Sequence, residues 1–248
     1  MRDSSSAAAG DRRTWRFRVA RARTIVLWQP DQWRRMTLVA ARVPDDAMTV
    51  LDVGGRGHQM ARLLGPATVT SLNVRPPADV VVSPQDRLPF ADGAFDVVLS
   101  SDVLEHMPAA DRPRHLQELV RVARRRVVLC WPAGSPTKDA AEERLQARLR
   151  AELDVRLDFL EEHRQFGLPR EADVRSFVED AAPGARLSWS FQEGIAHGDA
   201  LLLDAMRARH RKDVRALLRF VRGAYLHRPR YRATSSPDSS RAVLVIDL

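Results

Sequence analysis

The chain has 248 residues, 44% of them apolar and 29% charged, with a formal net charge of +8. This balance supports one large globular domain, or a domain with an insertion, and excludes disorder throughout. No apolar run approaches the roughly 20 residues of a membrane-spanning helix, and the first 30 residues lack the continuous apolar core of a secretory signal. A soluble, cytoplasmic protein is therefore expected. The single cysteine, Cys130, excludes an intramolecular disulfide framework and any cysteine-cluster metal site, and its apolar surroundings predict a buried, inert thiol.

Arginine supplies 38 of the 40 basic residues, and its distribution is uneven. Residues 1–43 hold ten Arg against three Asp, and residues 205–248 hold eleven Arg and Lys against three Asp, so two basic ends flank an acidic centre. Such ends suit an anionic partner, whether a phosphorylated substrate, a membrane surface or RNA, or they are a solvated arginine surface.

Residues 1–11, rich in Ser and Ala, are expected to form a flexible tail. Residues 12–44 read as basic helices. Trp15, Val19, Ala22 and Val26 have helical spacing with arginines between them, Pro30 breaks the run, and a second short helix carries Trp33, Met36 and Leu38. The first of these helices could lie on a membrane or close over a site, or pack on the core with its arginines outward.

Residues 45–135 alternate short apolar runs with helical stretches, the pattern of βαβ units around a parallel sheet. Strands are expected at 49–53, 69–74, 79–82, 95–100 and 126–131, with helices at 60–64 and 114–123. Continuous Val/Leu character implies strands covered on both faces. Residues 136–182 form a helical insertion. Leu145, Leu149, Leu153, Leu157 and Leu160 predict one long amphipathic helix there, with a short helix at 171–180. Residues 183–248 complete the sheet with strands at 185–191 and 241–247 and one helix from Leu203 to Tyr225.

Two segments carry chemistry. In Asp52-Val53-Gly54-Gly55-Arg56-Gly57-His58 a buried strand turns toward a helix, and glycines there let the backbone approach a ligand closely. The dinucleotide fingerprint G-x-G-x-x-G fails, because the third position read from Gly55 is Met60. Asp52 has no basic neighbour in sequence and is suited to receive a cation. The second segment runs Asp86-Arg87-Leu88-Pro89-Phe90, then Phe95-Asp96-Val97-Val98, then Ser101-Asp102-Val103-Leu104-Glu105-His106.

These motifs together resemble the type 11 branch of class I S-adenosylmethionine-dependent methyltransferases, over residues 48–132. The resemblance implies a Rossmann-like α/β fold, with a seven-stranded, mostly parallel sheet and an antiparallel last strand. It also implies S-adenosyl-L-methionine as cofactor and S-adenosyl-L-homocysteine as product. Carried over by position, Asp52 engages the methionine end, and Gly54, Gly55 and Gly57 pass beneath it. Asn73 stands where the family places an acid on the ribose. Asp86, the backbone around Arg87 and the side chain of Leu88 are left for adenine, and Ser101 lines the cleft. Arg56, His58 and Pro84 depart from the family pattern.

The expected acceptor is a small molecule, with a hydroxyl of a sugar, a lipid-linked precursor or a secondary metabolite favoured. RNA methylation and non-catalytic binding are the alternatives. His106 is either a base for the acceptor hydroxyl or a histidine paired with Glu105 or Asp102. His163 is read as solvated. Trp131 is either a pocket wall or a core aromatic, and Tyr225 and Tyr231 either clamp an anion or belong to packing and surface.

Overall fold

The computed structural model describes residues 30–84, 87–226 and 229–248. The expected tail, the basic helix around Trp15 and the candidate Asp86 lie outside the described residues. Helix α1 (Pro30–Ala40) leads to β1 (Thr49–Val53), the short α2 (Ala61–Leu64), β2 (Thr68–Asn73), β3 (Val80–Val81) and β4 (Phe95–Ser101). After β4 come a 3₁₀ turn at Leu104–His106, helix α3 (Arg112–Val122) and β5 (Ala123–Trp131). The rest comprises α4 (Pro136–Leu153), α5 (Asp158–Phe166), α6 (Glu171–Ala181), β6 (Arg186–Glu193), α7 (Ile195–Arg211), α8 (Val214–Leu226), β7 (Tyr231–Arg232) and β8 (Ser239–Asp247).

The strands form one sheet in the order β3-β2-β1-β4-β5-β8-β6-β7. β1 to β5 pair in parallel, whereas β8 runs antiparallel to β5 and β6, and β7 antiparallel to β6. The sheet therefore has eight strands where seven are expected. The extra one, β7, is two residues long and pairs only with Phe191 and Gln192, too short to leave a periodic signal.

Alternation along each strand sends side chains to opposite faces. Leu51, Val98, Leu129 and Leu244 pack against α3 and α6 on one side. Val50, Val97, Leu99 and Val128 pack against Met36 and Val39 of α1 and Leu63 of α2 on the other. Burial on both faces explains the unbroken Val/Leu runs. Trp131 belongs to the core; its indole N–H donates to the Pro169 carbonyl at 3.2 Å. Cys130 is buried and free, and burial pushes its thiol pKa up. Among the described residues, no helix is long and apolar enough to cross a membrane.

Two long helices expected from leucine spacing are each broken in two. Asp154, in the left-handed conformation with φ 52°, ends α4, and Lys212, with φ 51°, ends α7. α5 then packs beside α4, with Leu145, Leu149 and Leu160 sharing a small core with Leu203 of α7.

The motif aspartate Asp96 is architectural. Its Oδ2 accepts N–H bonds from Met48 at 2.8 Å and Thr49 at 3.1 Å, and its Oδ1 pairs with Arg124, so the start of β4 is tied to the start of β1. Burial opposes its ionisation, but Arg124 and the two amides outweigh burial and hold its pKa at about 2. A carboxylate depressed in this way contributes stability above about pH 4 that is lost as pH falls through about 2. Asp96→Asn is expected to lower unfolding stability by about 2 kcal/mol at pH 7. Urea denaturation should show that deficit narrowing between about pH 4 and pH 2, and a deficit independent of pH would contradict the assignment.

Candidate active site

The parallel order reverses at β1, which has β2 on one side and β4 on the other. Ligands of open α/β sheets gather outside the carboxyl ends of strands at such a switch point. Asp52 stands there, 2% exposed, with its Oδ2 buried and without a hydrogen-bond partner. Burial raises its pKa to about 7, against a smaller lowering by Arg35 of α1.

The turn after β1 is shaped around this carboxyl. A Cβ on Gly55 would collide with the Asp52 carboxylate and lie 2.9 Å from the Asp52 carbonyl oxygen, so only glycine fits. Gly54, with φ 83°, passes so close to Val103 that a Cβ would strike that side chain. The glycine turn and the 101–106 segment are thus in contact. Gly57 also has a positive φ, 57°. Arg56 and His58 are exposed, and the backbone path between them is that of a glycine cradle.

Asn73 does something other than the resemblance implies. Its Nδ2 donates to the carbonyls of Gly54 at 2.8 Å and Gly55 at 3.1 Å, while its Oδ1 accepts from the Val74 amide at 2.8 Å. It clasps the glycine turn to β2. An acid could not do this, since a carboxylate has no proton to donate. Leu88 is buried, and its amide donates to Glu118 Oε2 at 2.9 Å. The exposed Arg87 side chain turns toward Asp92 and Glu118, both at 3.6 Å. Arg121, which the sequence reading did not single out, fixes this loop by donating to the carbonyls of Phe90 and Leu88.

At the end of β4 the buried Ser101 hydroxyl has no hydrogen-bond partner. Asp102 adopts φ 53° and pairs with Arg35 and Arg241. Glu105 is 1% exposed with an unpartnered Oε2; burial, and secondarily the Asp102 charge, hold its carboxyl well above the usual range. His106 pairs with neither Glu105 nor Asp102. Its Nδ1 lies 2.6 Å from Glu162 Oε2 on α5.

The expectation for His163 is overturned. The break at Asp154 folds α5 back, and His163 is 6% exposed, with Nδ1 2.9 Å from Glu142 Oε2 and its ring 5.4 Å from that of His106. Buried Arg112 joins the two halves: its guanidinium donates to the carbonyls of Leu104 and Met107 on one side and Phe166 and Gly167 on the other. Nothing in the spacing of the sequence marks either residue. A cleft of about 590 Å³ between α4 and α5 is lined by Glu142, His163, Arg150, Arg156 and Arg164 among others.

An unpartnered buried carboxyl beside a glycine cradle suits a small ligand with a cationic amino-acid end. Residues 39–130 match the family model described as methyltransferase domain. Fold and family match together mark residues 39–130 as a class I S-adenosylmethionine-dependent methyltransferase domain. Within that class, the segment 39–130 belongs to the type 11 branch, and its cofactor is S-adenosyl-L-methionine. No curated protein matches the chain.

Several solved structures share the fold. A geranyl diphosphate methyltransferase in complex with S-adenosylmethionine is 13% identical, with a TM-score of 0.53, over 92% of this chain and 89% of that one. Phosphoethanolamine N-methyltransferase 2 of Haemonchus contortus is 14% identical, with a TM-score of 0.52, over 87% of this chain and 52% of that one. The cyclase SpnF is 16% identical, with a TM-score of 0.53, over 86% of this chain and 79% of that one.

Asn73→Asp tests whether the clasp or the family's ribose acid describes this position. The variant is expected to lose about 1–3 kcal/mol of stability, because two carbonyls lose their donor and face a carboxylate. A variant of unchanged melting temperature that binds the cofactor more tightly would contradict the clasp.

Proposed function

We propose that this enzyme transfers a methyl group to a hydroxyl of a small molecule held between the carboxyl edge of the sheet and helices α4 and α5. The observation that carries the reading is the unpartnered oxygen of buried Asp52 above a glycine turn that tolerates no Cβ at Gly55. When bound, S-adenosylmethionine would supply a methyl on a sulfonium, and the acceptor hydroxyl would give its proton to His106 Nε2 as it takes that methyl.

The work left to the chain is holding, aligning and drying. Asp52 receives the cationic amino-acid end, and Gly54, Gly55 and Gly57 form the floor. Ser101 offers a free hydroxyl, Leu88 packs beside the base, and Asp86 remains the candidate for the adenine amino group. Asn73 acts through the turn it clasps. The domain division at 136–182 assigns α4, α5 and α6 to the acceptor side. The 590 Å³ cleft supports this, being of a size for a small ligand rather than for RNA; its lining sets Arg150, Arg156 and Arg164 against Asp139, Glu142, Glu143 and Glu161. His106 meets the acceptor hydroxyl. Its Nδ1–H is held by Glu162, which leaves Nε2 as the ring atom with a lone pair.

Calorimetric titration with S-adenosylhomocysteine tests the cofactor half. Because Asp52 must ionise to meet a cation, affinity is expected to rise with pH up to about 7, by at most about tenfold per pH unit. Asp52→Asn should weaken binding and flatten the profile, and affinity unaffected by the substitution would contradict the role. The same raised pKa has the opposite sign for stability. Without ligand, its contribution is full below about pH 4 and is lost as pH rises through about 7. Asp52→Asn is therefore expected to melt above the wild type at pH 8, with the difference vanishing near pH 4; a variant that melts lower at both pH values would contradict the raised carboxyl.

Transfer itself is tested by incubating the enzyme with methyl-labelled S-adenosylmethionine and a panel of hydroxylated sugars, phenols and prenyl alcohols, their phosphorylated forms included. Label is expected in a hydroxyl acceptor and is expected to fall at least tenfold in His106→Ala, with S-adenosylhomocysteine affinity unchanged. Cofactor binding with label in no acceptor would overturn the catalytic reading in favour of binding alone.

A further inference from the structure

We propose that Glu105, His106 and His163 bind a divalent transition-metal ion at the acceptor side of the site. One ligand atom from each residue lies within 4.8 Å of the other two, so a small inward movement of the side chains would bring all three onto a single ion. Three features, independent of that spacing, point the same way.

Glu105, a member of this cluster, is buried, and its Oε2 has no hydrogen-bond partner, an arrangement that costs stability unless a cation or donor completes it. Each histidine has its Nδ1 on a different glutamate, His106 on Glu162 and His163 on Glu142. A carboxylate only accepts, so Nδ1 carries the proton in each ring and Nε2 the lone pair. Metal-binding histidines are oriented by carboxylates in this way, through the ring nitrogen that does not touch the ion. Glu142 is itself held by Lys138 at 3.2 Å. Finally, Arg112 staples the 104–107 turn to the end of α5, fixing two ligands against the third across more than 50 residues of sequence.

Two imidazoles and one carboxylate favour first-row ions such as Zn²⁺, Co²⁺ or Mn²⁺ over Mg²⁺ or Ca²⁺, which prefer oxygen. Three protein ligands leave positions open. Glu105 and His163 are buried, and His106 gives the site its exposed side. The cluster follows Val103, which touches the glycine turn at Gly54, so an oxygen on the ion would sit on the acceptor side of the cofactor cleft. This consequence rests on the methyl-transfer reading: the acceptor would offer a hydroxyl, or two adjacent oxygens, to the ion. His106 would then act on that hydroxyl through the metal.

The experiment uses the full chain stripped with a chelator and dialysed. It is titrated with Co²⁺ by visible absorption and with Zn²⁺ by calorimetry, in the absence of any nucleoside. S-adenosylhomocysteine is titrated separately into the stripped protein, so failure of the metal site and failure of the cofactor reading are read independently. Near one equivalent of Co²⁺ is expected, with d–d bands displaced by Zn²⁺ and with Mg²⁺ a poor competitor. Glu105→Gln and His163→Gln are each expected to weaken Zn²⁺ at least tenfold, and Glu142→Gln by about 10–100-fold. His106→Ala, at an exposed position, gives a loss that does not depend on refolding the core. Absence of stoichiometric binding, or binding unchanged in both Glu105→Gln and His106→Ala, would overturn the proposal.

Discussion

A carboxyl group kept dry at the end of a buried strand is the constraint around which this molecule is arranged. Asp52 has an oxygen with no partner and a pKa near neutrality, and Gly55 has no side chain because any Cβ would occupy the carboxylate's place. Leaving a buried acid unmatched lowers the stability of the unliganded protein. The surrounding sheet tolerates it through burial on both faces and through ties such as Asp96, which bonds β4 to β1. In the proposed reading the cation that completes the site arrives with the ligand.

The helices after β5 follow a second constraint. Segments distant in sequence, the turn after β4 and helix α5, must be held in register, and Arg112 does so through four carbonyl oxygens. The core of the sheet is a scaffold shared with proteins under 20% identical, one of them titled a methyltransferase acting on geranyl diphosphate and another a cyclase. That sharing fixes the fold and does not fix the acceptor. In this chain the helices after β5 carry His163, Glu142 and Glu162.

The sheet was legible in the sequence because strands covered on both faces read as unbroken Val and Leu runs, as at 49–53 and 95–100. The turn at the carboxyl end of β1 was legible from its glycines, but any tight turn from strand to helix favours glycine, so they mark the turn and not its ligand. What could not be read was set by single residues in unusual conformations. Asp154 takes a left-handed backbone without the glycine or proline that would mark a break, and the leucine spacing runs through it. That one residue reverses α5 and turns His163 inward. At Asn73 the position suggested a ribose contact, and what the sequence did not show is the clasp: an amide both donates and accepts, and here the carbonyls of the turn use its donors.

The account depends most directly on the ionisation of one group, and carbon-13 NMR of the Asp52 side-chain carboxyl observes it. In the unliganded protein its midpoint is predicted near pH 7, moving below about 5 when S-adenosylhomocysteine is bound, as a cation beside the carboxylate requires. A midpoint near 4 without ligand, or one that the nucleoside leaves in place, would contradict the central claim.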